Sequence, residues 1–372
     1  MTDGRVTLRR LSCRDFRNFE RLDLEIPEQG LAVVGDNGQG KTNLLESIYY
    51  MQVLRSSRGA RDQDLVRFGA KGFFISTSAS TDDVHEIAVG FETAGKRKRV
   101  TLDGSVAARL SDAFGSLPAV MFSPRDIQMI AGGPADRRRF LDLVLALSSR
   151  RYLSALQNYR AALTRRNASL REAARTNDDS SVSVWEPALA QHGATLLCER
   201  SQWVSANRES FARLTAAIGE AGEARMSYSS AAAKEPDPAE ALLAAFERQR
   251  KHDIRRGITH SGPHRDDLSL MLDGRELRVF GSAGQQRTAA IALRMLEGET
   301  LRQSRGLSPL LLLDDPFAEL DVHRSANILE LLRGAGLGQT ILVVPRESDI
   351  PPELLQLERR RIRGGQVTEL AA

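Results

Sequence analysis

Cysteine and tryptophan are scarce in this chain of 372 residues, with two of each, and tyrosine occurs only five times. Cys13 and Cys198 lie far apart, and the opening Met1-Thr2-Asp3-Gly4-Arg5 has neither an apolar core nor a cleavage site. A disulfide scaffold is thereby excluded, and a reducing cytoplasm is the expected compartment. No apolar run approaches the roughly 20 residues that a membrane helix needs, so no membrane partner is expected. His and Cys never cluster at ligand spacing, which leaves no metal site beyond one carried in with a nucleotide. There is no internal repeat and no sustained heptad pattern. Lysine is the scarcest charged residue. It stands only at 41, 71, 96, 98, 234 and 251, so 46 of the 52 basic residues are Arg. That bias suits phosphate recognition through a planar fork, and a GC-rich genome produces the same bias. The net charge of +4 permits a nucleic-acid partner without requiring one.

What is present is organised around Gly35-Asp36-Asn37-Gly38-Gln39-Gly40-Lys41-Thr42, which satisfies G-x-x-x-x-G-K-[ST] at every fixed position. The apolar run Leu31 to Val34 before it reads as a buried strand, and Asn43 to Ile48 after it reads as a helix start. Strand, glycine loop and helix N-terminus together make an anion cradle for a triphosphate. Lys41 is placed to reach the outer phosphates and Thr42 to hold magnesium. A second apolar run, Leu310 to Leu313, ends in Asp314-Asp315. An acid at the end of such a strand sits beside nucleotide-bound magnesium: Asp314 is the expected ligand, and Asp315 the group that orients or deprotonates water. A buried strand stopping at an ordinary acidic turn reads the same alone, but not when paired with the first motif. A third stretch, Gly281-Ser282-Ala283-Gly284-Gln285-Gln286, precedes a helix and offers another anion site. One chain does not need two for one triphosphate, so this one is expected to cap the nucleotide of a second copy. A plain helix cap is the competing reading.

The texture changes along the chain. Candidate strands at Val6–Leu11, Leu22–Ile26, Phe73–Ser78, Ile87–Phe91, Lys96–Leu102 and Val120–Phe122 precede a helical region. From about Pro134 an apolar stripe runs through Phe140, Leu147, Leu156 and Leu170. A second runs from Trp185 to Leu214, and the two suggest an antiparallel arm. Strand patterns return at Leu268–Leu272, Leu310–Asp315 and Ile341–Val344. Lys41 and Asp314 must meet at one ion although 273 residues separate them. The expected fold is therefore an α/β P-loop head split into N- and C-terminal halves, 1–130 and 256–372, around an inserted helical arm, 131–255.

In order, Asn37-Gly38-Gln39-Gly40-Lys41-Thr42, Ser282-Ala283-Gly284-Gln285-Gln286, Asp314-Asp315 and Ala318-Glu319-Leu320-Asp321 resemble the motifs of ATP-binding-cassette (ABC-type) ATPases. The chain is most similar to their chromosome-maintenance and DNA-repair branch, and within it to the RecF family of recombination mediators. That likeness rests on Phe16-Arg17-Asn18-Phe19, Arg55-Ser56-Ser57-Arg58, Arg137 to Asp142, Gly262 to Leu268 and Gly284 to Ala289. The resemblance implies a homodimer formed on ATP and magnesium binding, slow DNA-dependent ATP hydrolysis, and binding of double-stranded DNA at gaps or junctions. It also implies recombinase loading with RecO- and RecR-type partners. Where the resemblance places a γ-phosphate contact after Val344, this chain has Pro345-Arg346. The alternative is a nucleotide-gated DNA-binding module in which hydrolysis is incidental. An OLD-type nuclease lacks room for its acidic domain in the last 50 residues, and a transporter subunit is disfavoured by the arm.

For DNA contacts the residues of choice are Arg58, Lys96 and Lys98. Lys96-Arg97-Lys98-Arg99 reads equally as a solvated edge strand, of which at most half can face one partner. Arg137-Arg138-Arg139 reads as a helix face, and His264 as structural.

Overall fold

The computed structural model describes residues 4–80, 85–317, 320–334 and 338–370. Ala318 and Glu319 of the fourth motif lie outside the described residues. Packing divides the chain into two units. One joins the residues up to Arg125 with those from Glu297 onward, and the other is Asp126–Leu296.

The first unit holds two six-stranded sheets. In the antiparallel one the strands run Phe19–Glu25, Thr7–Phe16, Gly72–Ser80, Glu86–Glu92, Arg97–Leu102 and Ser105–Val106, side by side in that order. These segments alternate polar and apolar, and burial follows: Leu11, Cys13, Phe73, Ile75, Val89 and Val100 point inward. The second sheet is parallel except at one edge. Its order is Gln366–Glu369, Glu358–Arg363, Gly30–Val34, Thr340–Val344, Leu310–Asp314 and Ala119–Phe122. Gly30–Val34, Leu310–Asp314 and Ala119–Phe122 are buried along their whole length, as continuous apolar runs in parallel sheets are.

The helix Lys41–Val53 lies between the sheets. On its antiparallel side Tyr50 meets Phe16 and Phe73 edge-on, at ring-centroid distances of 6.3 and 5.6 Å. Gln339 stitches the N- and C-terminal stretches: its amide accepts from the Leu8 N–H at 2.8 Å and donates to the Leu8 carbonyl at 3.0 Å.

The second unit packs helices Pro134–Ser148, Arg150–Thr176, Glu186–Ile218 and Pro238–Arg256 with a small sheet, Ala224–Ser229, Asp267–Leu272 and Arg275–Glu276. The first apolar stripe is two helices. Ser149 turns extended at φ −135° and its hydroxyl caps the second helix by accepting from the Tyr152 N–H. The strand Ala224–Ser229 escaped the sequence reading because only Ala224 and Met226 are buried in it. It pairs with Asp267–Leu272, so residues 256–296, read from sequence with the head, pack with the helical unit. Among the described residues Arg166 is the largest fully buried side chain. It is held at 3.0 Å by Glu186 and at 2.8 Å by both Asp253 and Thr259.

Candidate nucleotide site

The strand Gly30–Val34 delivers the chain into the glycine loop, and the helix beginning at Lys41 leaves it. Gly38 and Gly40 take φ of +80° and +115°, a region that favours glycine. At Gly40 a Cβ would also stand 2.6 Å from the Asn18 amide nitrogen, so both conformation and space demand glycine there. The first turn of the helix carries no acid, which leaves its positive dipole end uncompensated.

The Lys41 ammonium curls back over the loop, donating to the carbonyls of Gly35 and, at 3.0 Å, Asp36. Burial pulls its pKa below the ordinary lysine value, against the opposing pull of Asp314, Asp315 and Asp36. The Thr42 hydroxyl donates to the Asp314 carboxylate at 3.2 Å across 272 positions of sequence. Register explains the meeting. Val34 pairs with Val344, and Val343 with Asp314, so three neighbouring parallel strands end level with one another. Burial raises the Asp314 pKa, with Asp315 adding to the rise and the Thr42 hydrogen bond opposing it. Asp315 stands in the left-handed region, φ +46°, with its N–H donating to the Val343 carbonyl at 3.0 Å.

The loop is braced from both ends of the chain. The Asn18 amide donates to the Gln39 carbonyl at 3.0 Å, and its oxygen accepts from Asn43 at 2.7 Å. The C-terminal hairpin turn donates Gly364 N–H to the Gln39 side chain at 2.7 Å and Gly365 N–H to the Gln39 carbonyl at 3.1 Å. Behind these lies Glu46, fully buried, which sequence reasoning missed because an acid inside an ordinary-looking helix gives no signal. Its carboxylate accepts from Arg17 at 3.0 Å, from Ser56 at 2.5 Å and from Arg58. Burial works against its charge, but hydrogen bonds from Arg58, Arg17 and Ser56 win and hold its pKa below the ordinary value.

One sequence expectation, that for Arg137, needs correcting, and the three DNA candidates are placed as follows. Arg58, chosen for DNA, is tied to Glu46 and donates to Asn43 at 2.5 Å, beside the phosphate-loop helix. Lys98 faces inward. Its ammonium pairs with Asp62 at 2.7 Å, donates to the Leu54 carbonyl at 2.6 Å and lies 5.1 Å from the Tyr50 ring centroid. Val100 fixes the buried side of its strand, and Lys98 shares that side. Lys96 is exposed at a turn with φ +49°. Arg137, read as a helix face, is buried and donates twice to Asp267, at 2.7 and 2.8 Å.

In the second unit, Ser282 and Gln285 exchange hydrogen bonds. The Ser282 N–H donates to Gln285 Oε1 at 2.9 Å, and the Gln285 N–H donates to the Ser282 hydroxyl at 3.3 Å. This is a capping box on the helix Ala283–Arg305. Ser282 is exposed, Gly284 is half-buried, and Gln285 also reaches Glu220 at 3.3 Å. His264 is a structural residue: its ring nitrogens meet the Tyr159 hydroxyl at 2.5 Å and the Thr259 carbonyl at 3.0 Å. Burial lowers its pKa to about 4.

The donor set fits a magnesium triphosphate. Hard oxygen ligands come from Thr42 and Asp314, a buried ammonium rests only on carbonyls, and an open helix N-terminus faces them. This geometry on a parallel sheet beside an antiparallel one defines the head fold of ABC-type ATPases. Comparisons narrow the class. The sequence profile of the RecF/RecN/SMC N-terminal domain matches residues 7–350. The DNA replication and repair protein RecF of Geobacter sp. (strain M21) is 35% identical over 371 residues, 98% of this chain and 100% of that protein. The RecF of Frankia alni is 36% identical over 364 residues, covering 93% and 95%. A structure of the recombination mediator protein RecF with ATP superposes with a TM-score of 0.91 at 28% identity, covering 100% and 99% of the two chains. An Smc head domain from Pyrococcus furiosus shares the fold at a TM-score of 0.56 and 15% identity. The chain belongs to the RecF family.

Proposed function

We propose that this protein is an ATP-dependent DNA-binding recombination mediator of replication-coupled repair, acting in the cytoplasm as a homodimer that forms when ATP binds. One observation carries the reading. Thr42 of the N-terminal half and Asp314 of the C-terminal half make a direct hydrogen bond at the mouth of the glycine loop. Lys41 leaves its two carbonyls to meet the outer phosphates, and the backbone N–H groups of 35–42 wrap the rest. Thr42 and Asp314 would hold the magnesium, and Asp315 would position water. Bound magnesium triphosphate would supply phosphate charge for Lys41 and the N–H groups, a cation for the oxygens of Thr42 and Asp314, and the phosphoanhydride bond that turnover cleaves. Ser282, Gly284 and Gln285 face the nucleotide held by the other copy, with the capping box opening to release the Ser282 hydroxyl. In functional terms the head comprises 1–130 and 256–372, and the arm 131–255. The relatives' printed roles, DNA replication and repair and membership of the RecFOR pathway, support duplex DNA and RecO- and RecR-type proteins as partners.

Light scattering with and without ATP tests the reading. Lys41→Ala is expected to abolish the ATP-induced rise to dimer mass, and an unchanged rise counts against it. A second reading, hydrolysis as incidental, is favoured by Pro345-Arg346 after Val344, where no hydroxyl or imidazole follows the strand. Asp315→Asn separates the two, since loading that persists over many cycles in that variant makes turnover dispensable.

A further inference from the structure

The antiparallel sheet has an outer face that the nucleotide site does not use. Register places five residues in one row across five adjacent strands. Arg21 pairs with Arg14, Arg14 with Phe74, Phe74 with Gly90, and Gly90 with Arg99. All three arginines are exposed, and Phe74 is 45% exposed. Among the described residues none of the three has a salt bridge or a hydrogen bond to its side chain. Asp23, two residues along the strand from Arg21, has its carboxylate taken by Arg10 at 2.5 Å. At about 4.8 Å per strand the row runs roughly 19 Å from Arg21 to Arg99.

Two features are unusual for a merely solvated face. Arg14 and Arg21 stand directly opposite one another, a like-charge pairing that costs stability. Arg14 also lies on an interior strand, where edge protection gives no reason for charge. The Phe74 ring lies over Gly90, its Cδ2 being 3.8 Å from where a Cβ on that glycine would stand. Glycine there leaves the ring's surroundings open. An aromatic covering a cross-strand glycine also steadies a weak sheet position, which accounts for Phe74 but not for the arginines around it.

We propose that this row is a binding track for single-stranded nucleic acid, with phosphates on Arg21, Arg14 and Arg99 and one base stacked on Phe74. Cations spaced along a sheet with an exposed aromatic between them match the pattern by which sheets take unpaired strands. A duplex keeps its base faces inside and gives Phe74 nothing to stack on. An acidic peptide satisfies the arginines alone. The track is separate from the glycine loop and needs no triphosphate.

The test is fluorescence anisotropy with a labelled oligo-dT of about 16 nucleotides, without nucleotide, on the full chain and on a Lys41→Ala background. Both are expected to bind equally, so a failure of the dimerisation reading leaves this result intact. Three phosphate contacts predict a log–log salt slope of about −2. Phe74→Ala is expected to weaken binding about tenfold, within the range for stacking one base, and to leave the slope unchanged. Replacing Arg14, Arg21 and Arg99 together by Ala is expected to flatten the slope. Arg99→Glu, an exposed substitution that spares the interior strands, is expected to weaken binding several-fold and covers the case in which Phe74→Ala does not fold. The proposal is overturned by no binding, by affinity indifferent to Phe74→Ala, or by an unchanged slope in the triple variant. Equal loss on a duplex of the same length also overturns it, and makes the row a duplex-backbone surface.

Discussion

Glu46 offers the sharpest test of how the nucleotide site is held. It is fully buried, and its two oxygens gather Arg17, Arg58 and Ser56. Glu46→Gln keeps size and shape while removing the charge. Whichever way the new amide turns, its NH2 must face a group that now donates, the Ser56 hydroxyl on one side or the guanidinium of Arg58 on the other. The two arginines, 20% and 23% exposed, then keep their charge without a counter-ion. Breaking a buried pair in this manner costs about 3–5 kcal/mol. A unit of about 200 residues loses roughly 2–4 °C of melting temperature per kcal/mol, so the first unit is expected to melt about 6–20 °C lower. Differential scanning calorimetry measures the shift. A double-mutant cycle with Arg58→Ala isolates the pair and is expected to show at least about 1 kcal/mol of coupling. A melting shift under about 2 °C, or additive single variants, would refute the claim that Glu46 organises the loop's rear support.

The imidazole of His264 is held neutral in the folded state at a pKa near 4. The unfolded chain, at about 6.5, takes up its proton first as pH falls. The stability tied to neutral His264 is therefore complete above about pH 6.5 and lost as pH drops toward 4, about 2 kcal/mol of it between pH 7 and pH 5. Denaturant titrations at the two pH values measure this loss, and His264→Gln should flatten the dependence by that amount. At the C-terminal hairpin, Gly365 has φ +83° and a Cβ there would stand 2.7 Å from the Asn18 carbonyl oxygen, whereas a Cβ on Gly364 meets nothing within 4 Å. Gly365→Ala is expected to weaken binding of a fluorescent ATP analogue several-fold by pushing the turn off Gln39, with Gly364→Ala costing only the roughly 1 kcal/mol of stability for left-handed strain. Equal effects of the two on nucleotide affinity would show that the hairpin does not brace the loop.

Most strands of the first unit were legible because their physics is local. Strict alternation marks a sheet with one solvated face, and an unbroken apolar run marks one covered on both. The glycine loop was legible because its backbone conformations admit few residues. What escaped depends on partners distant in sequence. Arg137 looks like surface charge until Asp267 arrives 130 positions later to take its guanidinium, and Arg166 until Glu186 and Asp253 close on it. Lys98 shows the intermediate case. Strand parity said that at most half of Lys96 to Arg99 can face one partner, but only the position of Val100 in the core decides which residues those are.

That same parity links the inward and outward faces of one strand. Lys98 turns in to brace Tyr50 of the phosphate-loop helix, so Arg99 necessarily turns out into the row with Phe74. A one-residue slip of this strand would bury Arg99 and expose Val100, removing the Tyr50 brace and the outer cation together. The pairing of Val89 with Val100 and of Gly90 with Arg99 therefore fixes two things in one register: the wall behind the glycine loop and the charge pattern offered to solvent. The turn of residues 93–96 joins these two strands and sets that register, with Gly95 and Lys96 in the left-handed region at φ of +77° and +49°. Gly95→Val, which puts a β-branched residue at a left-handed position of that turn, is for this reason expected to disturb both.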